Sequence, residues 1–313
     1  MILTVTANTS IDHILFVPSY TRNKTLRVRE CVISMGGKPT DCAWILGEHG
    51  IPTLALGFIA GHVGDMVMQM LHEKGVQMDF VTVEGESRRN ILIIDDKDQS
   101  HTTLTMSTLI VHEQHIAALR EKYIVALNRG DISVVVLGGT LPAGMNPDLY
   151  ADFITLARER DIPTIFDASG KYLEAGIKAR PTYIKPNEEE LLLFTGEVID
   201  TFEAAYHVGR KIIVDYGTIP IISLGVQGGL AVLPDRAYYI PPLKIPIVNP
   251  GGAGDGILAG LAWGIEQGES IEVGIRMGFA NAAATVMMPG TAQIRREDAL
   301  HLREQIELIP YAG

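Results

Sequence analysis

The residues best suited to chemistry lie in the segment Asn249–Gly256, which reads NPGGAGDG. Apolar residues at helical spacing follow it, so a helix is predicted to begin within the segment. Glycines let a ligand approach the backbone, and the free N–H groups of a helix N-terminus attract anions. A carboxylate there, Asp255, would repel a resting phosphate but could accept a proton from a hydroxyl that attacks phosphorus. The segment therefore indicates phosphoryl transfer with Asp255 as the base.

The same segment also has a structural interpretation, in which Asp255 only caps a helix after a tight turn. Glycines before a helix are frequent, so the segment alone leaves both interpretations open. Other common chemistries lack their signatures in this sequence. It contains no Walker A motif, no protein-kinase catalytic triplet and no Gly-x-Ser-x-Gly, and His112 and His115 have no further ligands at zinc spacing.

Four further segments place a close-approach glycine or a charged side chain at the end of a predicted element. Gly138–Pro142, Lys185–Glu190 and Ser223–Gly229 lie at the ends of predicted strands, and Gly36–Lys38 precedes a predicted helix. Ligands of α/β proteins bind at the carboxyl ends of the strands. These segments are therefore candidates for ligand binding.

Alternating strands and helices must position these segments. Buried strands are predicted at Ile2–Thr6, Thr53–Phe58, Ile132–Leu137, Thr164–Phe166, Tyr183–Ile184 and Ile219–Ser223. Amphipathic helices are predicted at Thr40–His49, Asp65–Lys74, His112–Asn128, Pro147–Arg160, Glu188–Phe194 and Phe202–Tyr216, and largely apolar helices at Ala253–Glu266 and Ile271–Met288. This order is typical of an α/β fold with a mostly parallel sheet covered by helices.

Two segments interrupt this order, Asp12–Ser34 and Arg89–Thr105, and each has the pattern of an antiparallel hairpin. Because neither hairpin can bury two faces alone, the two are expected to form one small sheet over the main domain. That sheet could be a lid that excludes water from a reaction, or an ordinary edge extension. Residues 1–313 are interpreted as one domain, with a lid formed by residues 12–34 and 89–105.

Charge and composition limit the partners. The chain of 313 residues carries a formal charge of -11, so nucleic acid and anionic membranes are not expected as main partners. Cys31 and Cys42 are interpreted as reduced thiols, the N-terminus does not read as a signal peptide, and no apolar run approaches the ~20 residues of a membrane span. A cytoplasmic protein is therefore expected.

In combination and in this order, the glycine-rich segments resemble the PfkB, or ribokinase-like, family of sugar kinases, from Met1 to roughly Ile294. Gly252–Asp255 is similar to the family's C-terminal signature, and Asn249 is typical of the branch of 1-phosphofructokinases and tagatose-6-phosphate kinases. The resemblance implies a three-layer α/β sandwich with a mostly parallel central sheet and a small β-sheet lid. It also implies ATP and Mg²⁺ as cofactors, a sugar or sugar phosphate as acceptor, and a homodimer formed through the lid.

On the nucleotide side, the resemblance implies Asp255 as the base and the amides of Gly252, Ala253 and Gly254 as the anion hole. The implied nucleotide-binding residues are Lys185, Asn187, Ser223, Gly225, Gly228 and Asn281. Asn187 and Glu190 match the family's Asn-x-x-Glu motif, which organises Mg²⁺ and its waters. Lys185 also has a simpler interpretation as a surface lysine.

On the acceptor side, the implied binding residues are Asp12, Gly36, Gly37, Lys38, Asp41, Arg88 and Asn90. Asp12 ends a segment similar to the branch's Asn-Pro-x-Ile-Asp and would bind sugar hydroxyls. Lys38 and Arg88 are suited to a phosphate already on the sugar, because arginine can bind phosphate through two N–H groups. Together they favour a phosphorylated acceptor.

Three departures from the branch pattern leave alternatives open. Where the branch has Gly-Gly-Lys-Gly-x-Asn-x-Ala, Pro39 replaces the glycine and Asp41 replaces the sugar-contacting asparagine. Pro250 replaces a serine or threonine before the anion hole, and Gly138 stands where serine is common. Asp41 places negative charge near the expected phosphate, so a kinase for a neutral sugar or a nucleoside is one alternative. A catalytically silent homologue that binds a sugar or nucleotide is another.

Overall fold

The computed structural model of the protein describes residues 1–98 and 100–313. Its strands are β1 (Ile2–Thr6), β2 (Ser10–Val17), β3 (Glu30–Gly36), β4 (Thr53–Ile59), β5 (Gln77–Met78), β6 (Val81–Thr82), β7 (Glu84–Gly85), β8 (Arg88–Asp95), β9 (His101–Leu104), β10 (Leu109–Ile110), β11 (Val134–Gly138), β12 (Thr164–Asp167), β13 (Tyr183–Ile184), β14 (Ile219–Ser223), β15 (Gly229–Val232), β16 (Ala237–Ile240) and β17 (Ile309–Pro310). Its helices are α1 (Lys38–Glu48), α2 (Gly61–Glu73), α3 (Glu113–Leu127), α4 (Asp148–Arg158), α5 (Lys171–Ile177), α6 (Glu188–Thr195), α7 (Phe202–Tyr216), α8 (Ala253–Glu266), α9 (Ile271–Val286) and α10 (Arg296–Arg303).

The main sheet has 11 strands in the order β17-β16-β15-β14-β13-β12-β11-β1-β4-β5, with β6 also paired to β4. Neighbouring strands are parallel from β5 to β14, and the pairs from β14 to β17 are antiparallel. The mostly parallel sheet predicted from the alternating pattern is confirmed. Because the parallel strands all run the same way, the segments that follow them meet at one edge of the sheet.

Helices cover both faces of the sheet, as the unbroken apolar strands require. Side chains such as Leu3 pack with α3, α4 and α7 on one face, while its neighbour Ile2 packs with α1, α8 and α9 on the other. Successive residues of a strand point to opposite faces, which divides the core into these two layers. The result is the expected three-layer arrangement of helices, sheet and helices.

The two hairpins combine into a separate four-stranded sheet with the order β3-β2-β8-β9. The pairs β2–β3 and β8–β9 are antiparallel, and β2 joins β8 in parallel over the whole length from Ser10 to Val17. The small sheet was predicted, but its parallel central pairing was not. One face buries Ile14, Phe16, Leu92 and Ile94. The sheet is therefore a second layer with a small core of its own.

Helices α8 and α9 approach each other through glycines. A β-carbon added to Gly260 would lie 2.0 Å from the amide nitrogen of Gly278, so only glycine fits at this crossing. A β-carbon at Gly274, in contrast, would have its nearest neighbours at 3.6 Å, an ordinary contact distance. Both helices are largely apolar, yet across the described ranges no helix combines the length and apolarity that crossing a membrane requires.

We expect Gly260→Ala to lower the free energy of unfolding by about 3 kcal/mol, because the methyl group would force the two helices apart. Gly274→Ala is the matched control in the facing helix, and should leave stability unchanged or raise it by up to about 1 kcal/mol through helix propensity. Chemical denaturation of the three proteins measures the difference. Equal stability of both variants would contradict the close approach at Gly260.

Candidate active site

The glycine-rich segment forms a tight turn that starts α8. Gly252, the residue before the helix, has φ 82°, and a β-carbon there would lie 2.4 Å from the amide nitrogen of Ala292. The carbonyl of Gly252 accepts hydrogen bonds from the amides of Asp255 and Gly256 at 3.1 and 3.2 Å. The amides before them are at the open end of the helix, where an anion can bind. Asp255 follows within the first turn.

Asn249 holds this turn in place. Its side chain is fully buried and donates to the carbonyl of Pro289 at 3.0 Å, while its Oδ1 accepts from the amide of Gly251 at 2.9 Å. These bonds tie the turn to the loop that follows α9. Pro250, which replaces a serine or threonine of the branch pattern, is exposed at the edge of the groove described next.

A groove of about 530 Å³ runs along the turn. Its volume lies within the range typical of small-molecule sites. Of the residues predicted from sequence, it is lined by Asn187, Ser223, Gly225, Gly228, Ala253 and Gly254. Leu243, Ile245 and Phe279 add apolar walls. The segments from two strand ends and from the start of α8 thus meet in one place.

Asn281 does not belong to the set of described residues that line this groove. Its side chain is fully buried, and its Oδ1 lies 2.9 Å from Nε2 of His49, behind the groove in the contact of α9 with α1. The structure therefore does not support a direct nucleotide contact for Asn281.

A buried carboxylate, Asp167 at the end of β12, connects two lysines of the site. Its Oδ1 accepts from Lys38 Nζ at 2.8 Å, and its Oδ2 lies 3.3 Å from Lys185 Nζ. Lys38 also donates to Oε1 of Glu190 at 3.0 Å. Burial alone would raise the pKa of Asp167, but Lys185 and Lys38 outweigh it and lower that pKa. Asp167 is therefore a fixed negative charge between two cations.

Lys185 is buried beneath the glycine-rich turn rather than exposed at the surface. Its side chain is 4% exposed, and a β-carbon added to Gly254 would lie 3.0 Å from its Nζ. Its positive charge therefore lies close to the amides at the start of α8. The interpretation of Lys185 as a surface lysine is wrong.

Glu190 and Asn187 cap helix α6 reciprocally. The amide of Glu190 donates to Asn187 Oδ1 at 2.7 Å, and the amide of Asn187 donates to Glu190 Oε2 at 3.1 Å. The second carboxylate oxygen of Glu190 takes the bond from Lys38. Both residues of the predicted magnesium motif are thus held rigidly at the end of β13, next to the groove.

Asp255 has an unusual proton affinity for a carboxylate. Burial raises its pKa to about 7; the positive charges of Lys38 and Lys185 oppose this rise, and the negative charges of Asp167 and Asp12 add to it. A carboxylate with a pKa near the working pH can both take up and release a proton. This agrees better with an acid–base group than with a simple helix cap.

On the other side of Asp255, the small sheet contributes Asp12 and Asn90. Asp12 accepts from Asn90 Nδ2 at 2.8 Å and from Thr291 Oγ1 at 3.0 Å. Burial raises the pKa of Asp12, and these two hydrogen bonds oppose the rise. Gly36, on the neighbouring strand, must lack a side chain, because its β-carbon would lie 2.4 Å from Asp12 Oδ1. The carboxylate of Asp12 is therefore held in one orientation against the backbone of Gly36.

Arg88 and Asp41 lie close to Asp12, and these three residues, which the sequence predicts to bind the acceptor, form the predicted acceptor pocket. Arg88 is 8% exposed and donates to the carbonyl of Asn8 at 2.8 Å, and its Nε has no partner among the described residues. Asp41, in the first turn of α1, is 4% exposed and its Oδ1 likewise finds no donor in the described chain. Gly37 caps this helix, and Pro39 occupies its first turn, where a missing N–H is harmless.

Lys38 and Arg88, both predicted to bind a phosphate on the acceptor, have different partners in the structure. The ammonium group of Lys38 is held by Asp167 and Glu190, whose charges outweigh burial and raise its pKa. Arg88 lies instead with Asn8 and Asp12. The ammonium group of Lys38 has three N–H donors, of which Asp167 and Glu190 take two, so one donor remains for an anion. The Nε of Arg88 is also without a partner among the described residues.

Three residues of the site were missed in the sequence. Asp167 directly follows the predicted strand Thr164–Phe166, so the rule that ligands bind at strand ends could have identified it. Thr291, which holds Asp12, and His101, which lines the groove from β9, carry no local signal. Both reach the site through contacts between distant segments.

The fold and the site together define a small-molecule kinase of the α/β class, with an anion site at a helix N-terminus beside a carboxylate. A family model described as pfkB family carbohydrate kinase matches residues 3–297. The chain belongs to this family and is a carbohydrate kinase.

Two relatives match over nearly the whole length. Tagatose-6-phosphate kinase of Staphylococcus epidermidis is 31% identical over 313 residues, covering 99% of each chain. 1-Phosphofructokinase of Escherichia coli is 29% identical, covering 99% of this chain and 98% of the relative.

Among solved structures, a possible 1-phosphofructokinase of Thermotoga maritima has a TM-score of 0.89 at 25% identity, with 100% of both chains covered. Phosphofructokinase-2 of Escherichia coli, in complex with substrates and products, has a TM-score of 0.88 at 22% identity over 97% of this chain and 98% of that chain.

Asp167→Asn should lower the free energy of unfolding at neutral pH by about 3–5 kcal/mol, because it leaves the buried ammonium group of Lys185 without its carboxylate and leaves Lys38 with Glu190 alone. Asp152→Asn, which removes an exposed partner of Arg120, is the control and should change stability by less than about 1 kcal/mol. Because the pKa of Asp167 is lowered in the folded state, its contribution is present at neutral pH and should disappear on acidification below the ordinary value of 3.8. Denaturation curves at neutral and acidic pH test this, and similar losses for both variants would contradict it.

Proposed function

We propose that this kinase transfers the γ-phosphoryl group of ATP to a hydroxyl group of a phosphorylated sugar. The observation that carries the proposal is the position of Asp255. It lies at the start of α8, with the groove along Ala253 and Gly254 on one side and the acceptor pocket on the other. The names of the two relatives, both kinases of sugar phosphates at about 30% identity, support the same class of acceptor.

The groove supports ATP as the donor. Its apolar walls suit a flat base, and the amides at the N-terminus of α8 suit the phosphates. Lys185, buried beneath this turn, adds positive charge where the γ-phosphoryl group would lie. Nucleotide and transferred group would thus bind to different parts of one continuous groove.

Asn187 and Glu190 would hold Mg²⁺ through water. Carboxylate and amide oxygens are the donors that Mg²⁺ prefers, and the ion usually keeps several of its waters, so few protein groups are needed. Asn187 lines the groove, and the side-chain oxygens of Asn187 and Glu190 that take part in the helix cap each keep a second lone pair for a magnesium-bound water, so the residues present fit the ion. When bound, Mg²⁺ would neutralise charge on the phosphates.

Asp255 would take the proton from the acceptor hydroxyl as its oxygen attacks phosphorus. With a pKa of about 7, a large share of Asp255 is ionised at neutral pH and the group is still basic enough to hold a proton. Asp12, oriented by Asn90 and Thr291, would bind a second hydroxyl of the sugar. Asp255 and Asp12 would thus hold the sugar ring through its hydroxyl groups, and Arg88 would bind the phosphate of the sugar.

The small sheet would act as a lid over these groups. Its inner face carries Asp12 and Asn90, and Leu92 of the same face lies against the glycine-rich turn, 3.2 Å from where a β-carbon of Gly251 would be. His101 reaches the groove from β9. Closure of such a sheet would keep water away from the γ-phosphoryl group and so prevent ATP hydrolysis.

A homodimer through the lid is part of this proposal. The outer face of the small sheet carries Ile33 and Leu104, which are 47% and 50% exposed, aligned with His13 and Ile91 across the strands. An exposed apolar face on a sheet is a surface that a second copy could cover. Covering it would also hold the lid in position.

Asp255→Asn should lower kcat by about 10²–10⁴-fold, because the amide cannot accept the hydroxyl proton. Nucleotide affinity, measured by calorimetry, should stay near the wild-type value, since the anion-binding amides remain. Glu297→Gln, an exposed change in α10, is the control and should keep the wild-type kcat. Near-normal turnover in the Asp255 variant would disprove the base assignment.

The acceptor is tested with a coupled ADP-release assay that compares fructose 1-phosphate, fructose 6-phosphate and tagatose 6-phosphate with the free ketoses and ribose. Turnover confined to phosphorylated sugars is expected. Turnover only of neutral acceptors would show that Asp41 has changed the pocket, and tight binding without turnover would favour a silent binding protein.

A further inference from the structure

Thr291, in the loop that follows α9, contacts the small sheet at three points. Its hydroxyl oxygen lies 3.0 Å from Asp12 Oδ2 and 2.8 Å from the carbonyl oxygen of Met35. Its own carbonyl accepts a hydrogen bond from Ser34 Oγ. Asp12 and Ser34 face each other across β2 and β3, so these contacts reach both strands of the first hairpin. Thr291 is only 4% exposed, so water does not compete for these hydrogen bonds.

The same loop lies against the glycine-rich turn on its other side. A β-carbon at Gly251 would lie 2.8 Å from Cγ2 of Thr291. A β-carbon at Gly252 would lie 2.4 Å from the amide nitrogen of Ala292. The short loop of residues 289–292 therefore touches both the start of α8 and the hairpin that carries the acceptor carboxylate.

The backbone of this loop has an unfavourable conformation. Ala292 has φ 52°, in the left-handed region that a residue with a β-carbon rarely adopts, and its side chain is buried. Such a conformation persists only where the surrounding contacts impose it, and it is concentrated at functional sites. The contacts on both sides therefore hold the loop in one conformation.

Thr291 also determines where the Asp12 carboxylate lies relative to the main domain. Among the described residues, the carboxylate accepts hydrogen bonds from Asn90 and Thr291. Asn90 lies on β8 of the same small sheet, paired with Asp12, and would move with it. The bond to Thr291 is therefore the one that links this carboxylate to the glycine-rich turn.

The hydroxyl group of Thr291 has one hydrogen and two acceptors within reach. It can donate to Asp12 or to the carbonyl of Met35, but not to both at once. A sugar hydroxyl that donates to Asp12 would give the carboxylate a new donor and release the hydrogen of Thr291 to Met35. The loop would then be bonded to the backbone of β3 while the sugar is bound.

We propose that Thr291 is a positioning residue that couples binding of the acceptor at Asp12 to the glycine-rich turn that holds the transferred phosphoryl group. The inference rests on the proposed function and deepens it. Acceptor and nucleotide each bind more tightly when the other is present, because the loop of residues 289–292 aligns both sites. By thermodynamic linkage the two effects are equal in size.

The test measures this coupling by calorimetry. The affinity for the acceptor with the highest kcat/KM in the panel is determined with and without a saturating non-hydrolysable ATP analogue and Mg²⁺. In the wild type the analogue should raise this affinity by about tenfold or more. Thr291→Val, which keeps the shape but loses the hydroxyl, should reduce the factor to about one. Thr291→Ser keeps the hydroxyl and should retain the wild-type factor.

Steady-state kinetics should divide in the same way. Thr291→Val should raise the KM for the acceptor by about 10–100-fold, the range expected for a lost hydrogen bond to a charged group, and change the KM for ATP by less than about threefold. Thr218→Val is the matched control, because Thr218 is fully buried and its hydroxyl has no partner in the described part of the chain. It lies next to the opposite end of β14 from the groove, and both KM values should stay at the wild-type level.

Two results would overturn the inference. Equal coupling factors in wild type and Thr291→Val would show that the hydroxyl group does not link the two sites. Loss of coupling in a Thr291→Ser protein with a wild-type melting curve would show that another property of the threonine side chain is responsible.

A second measurement needs neither a variant nor an acceptor. Binding of the ATP analogue and Mg²⁺ to the wild type should slow hydrogen exchange of the amides of β3 by at least about twofold, although β3 does not line the groove. Unchanged exchange in β3 with the analogue bound would also overturn the inference. If no acceptor in the panel is phosphorylated, the proposed function fails, but the exchange of β3 still decides whether the groove and the hairpin are connected.

Discussion

The placement of Asp167 between Lys38 and Lys185 is the interaction on which the rest of the site depends. A buried carboxylate is unfavourable unless it is paired, and buried lysines are equally so. Together they fix positive charge beneath the glycine-rich turn and beside Glu190. That charge opposes the effect of burial on the pKa of Asp255. The chemistry of the site follows from this one buried cluster.

Much of the fold could be predicted from the sequence because its determinants are local. The strands Ile2–Thr6, Tyr183–Ile184 and Ile219–Ser223 have the predicted bounds, since their apolar runs are flanked by clear breaks. Both hairpins of the small sheet were also predicted. Their parallel pairing, β2 with β8, could not be, because about 70 residues, which include strands and helices of the main domain, separate the two strands along the chain.

The candidate site, like the fold, was predictable only where its residues lie in one continuous segment. Asp255, Asn187 and the glycines of the groove lie in continuous motifs, and the structure places them together at one sheet edge. The bond of Asn281 to His49, at the end of α1, joins segments far apart in the chain, and no local pattern in the sequence indicates it. Lys38 binds Asp167 and Glu190 because the ends of β12 and β13 meet next to the start of α1. The sequence of any one of these three segments does not indicate the other two.

The parallel pairing of β2 and β8 has a consequence for the order of events. Asp12 enters the pocket from one hairpin, and Arg88 and Asn90 from the other, so a continuous ladder of backbone hydrogen bonds joins all three. The two hairpins cannot swing independently without breaking that ladder. In the proposed mechanism, recognition of the sugar and enclosure of the reacting phosphate would then be a single movement. An empty acceptor pocket would leave the γ-phosphate uncovered and Asp255 without a hydroxyl to deprotonate, which would couple ATP consumption to the presence of the correct sugar.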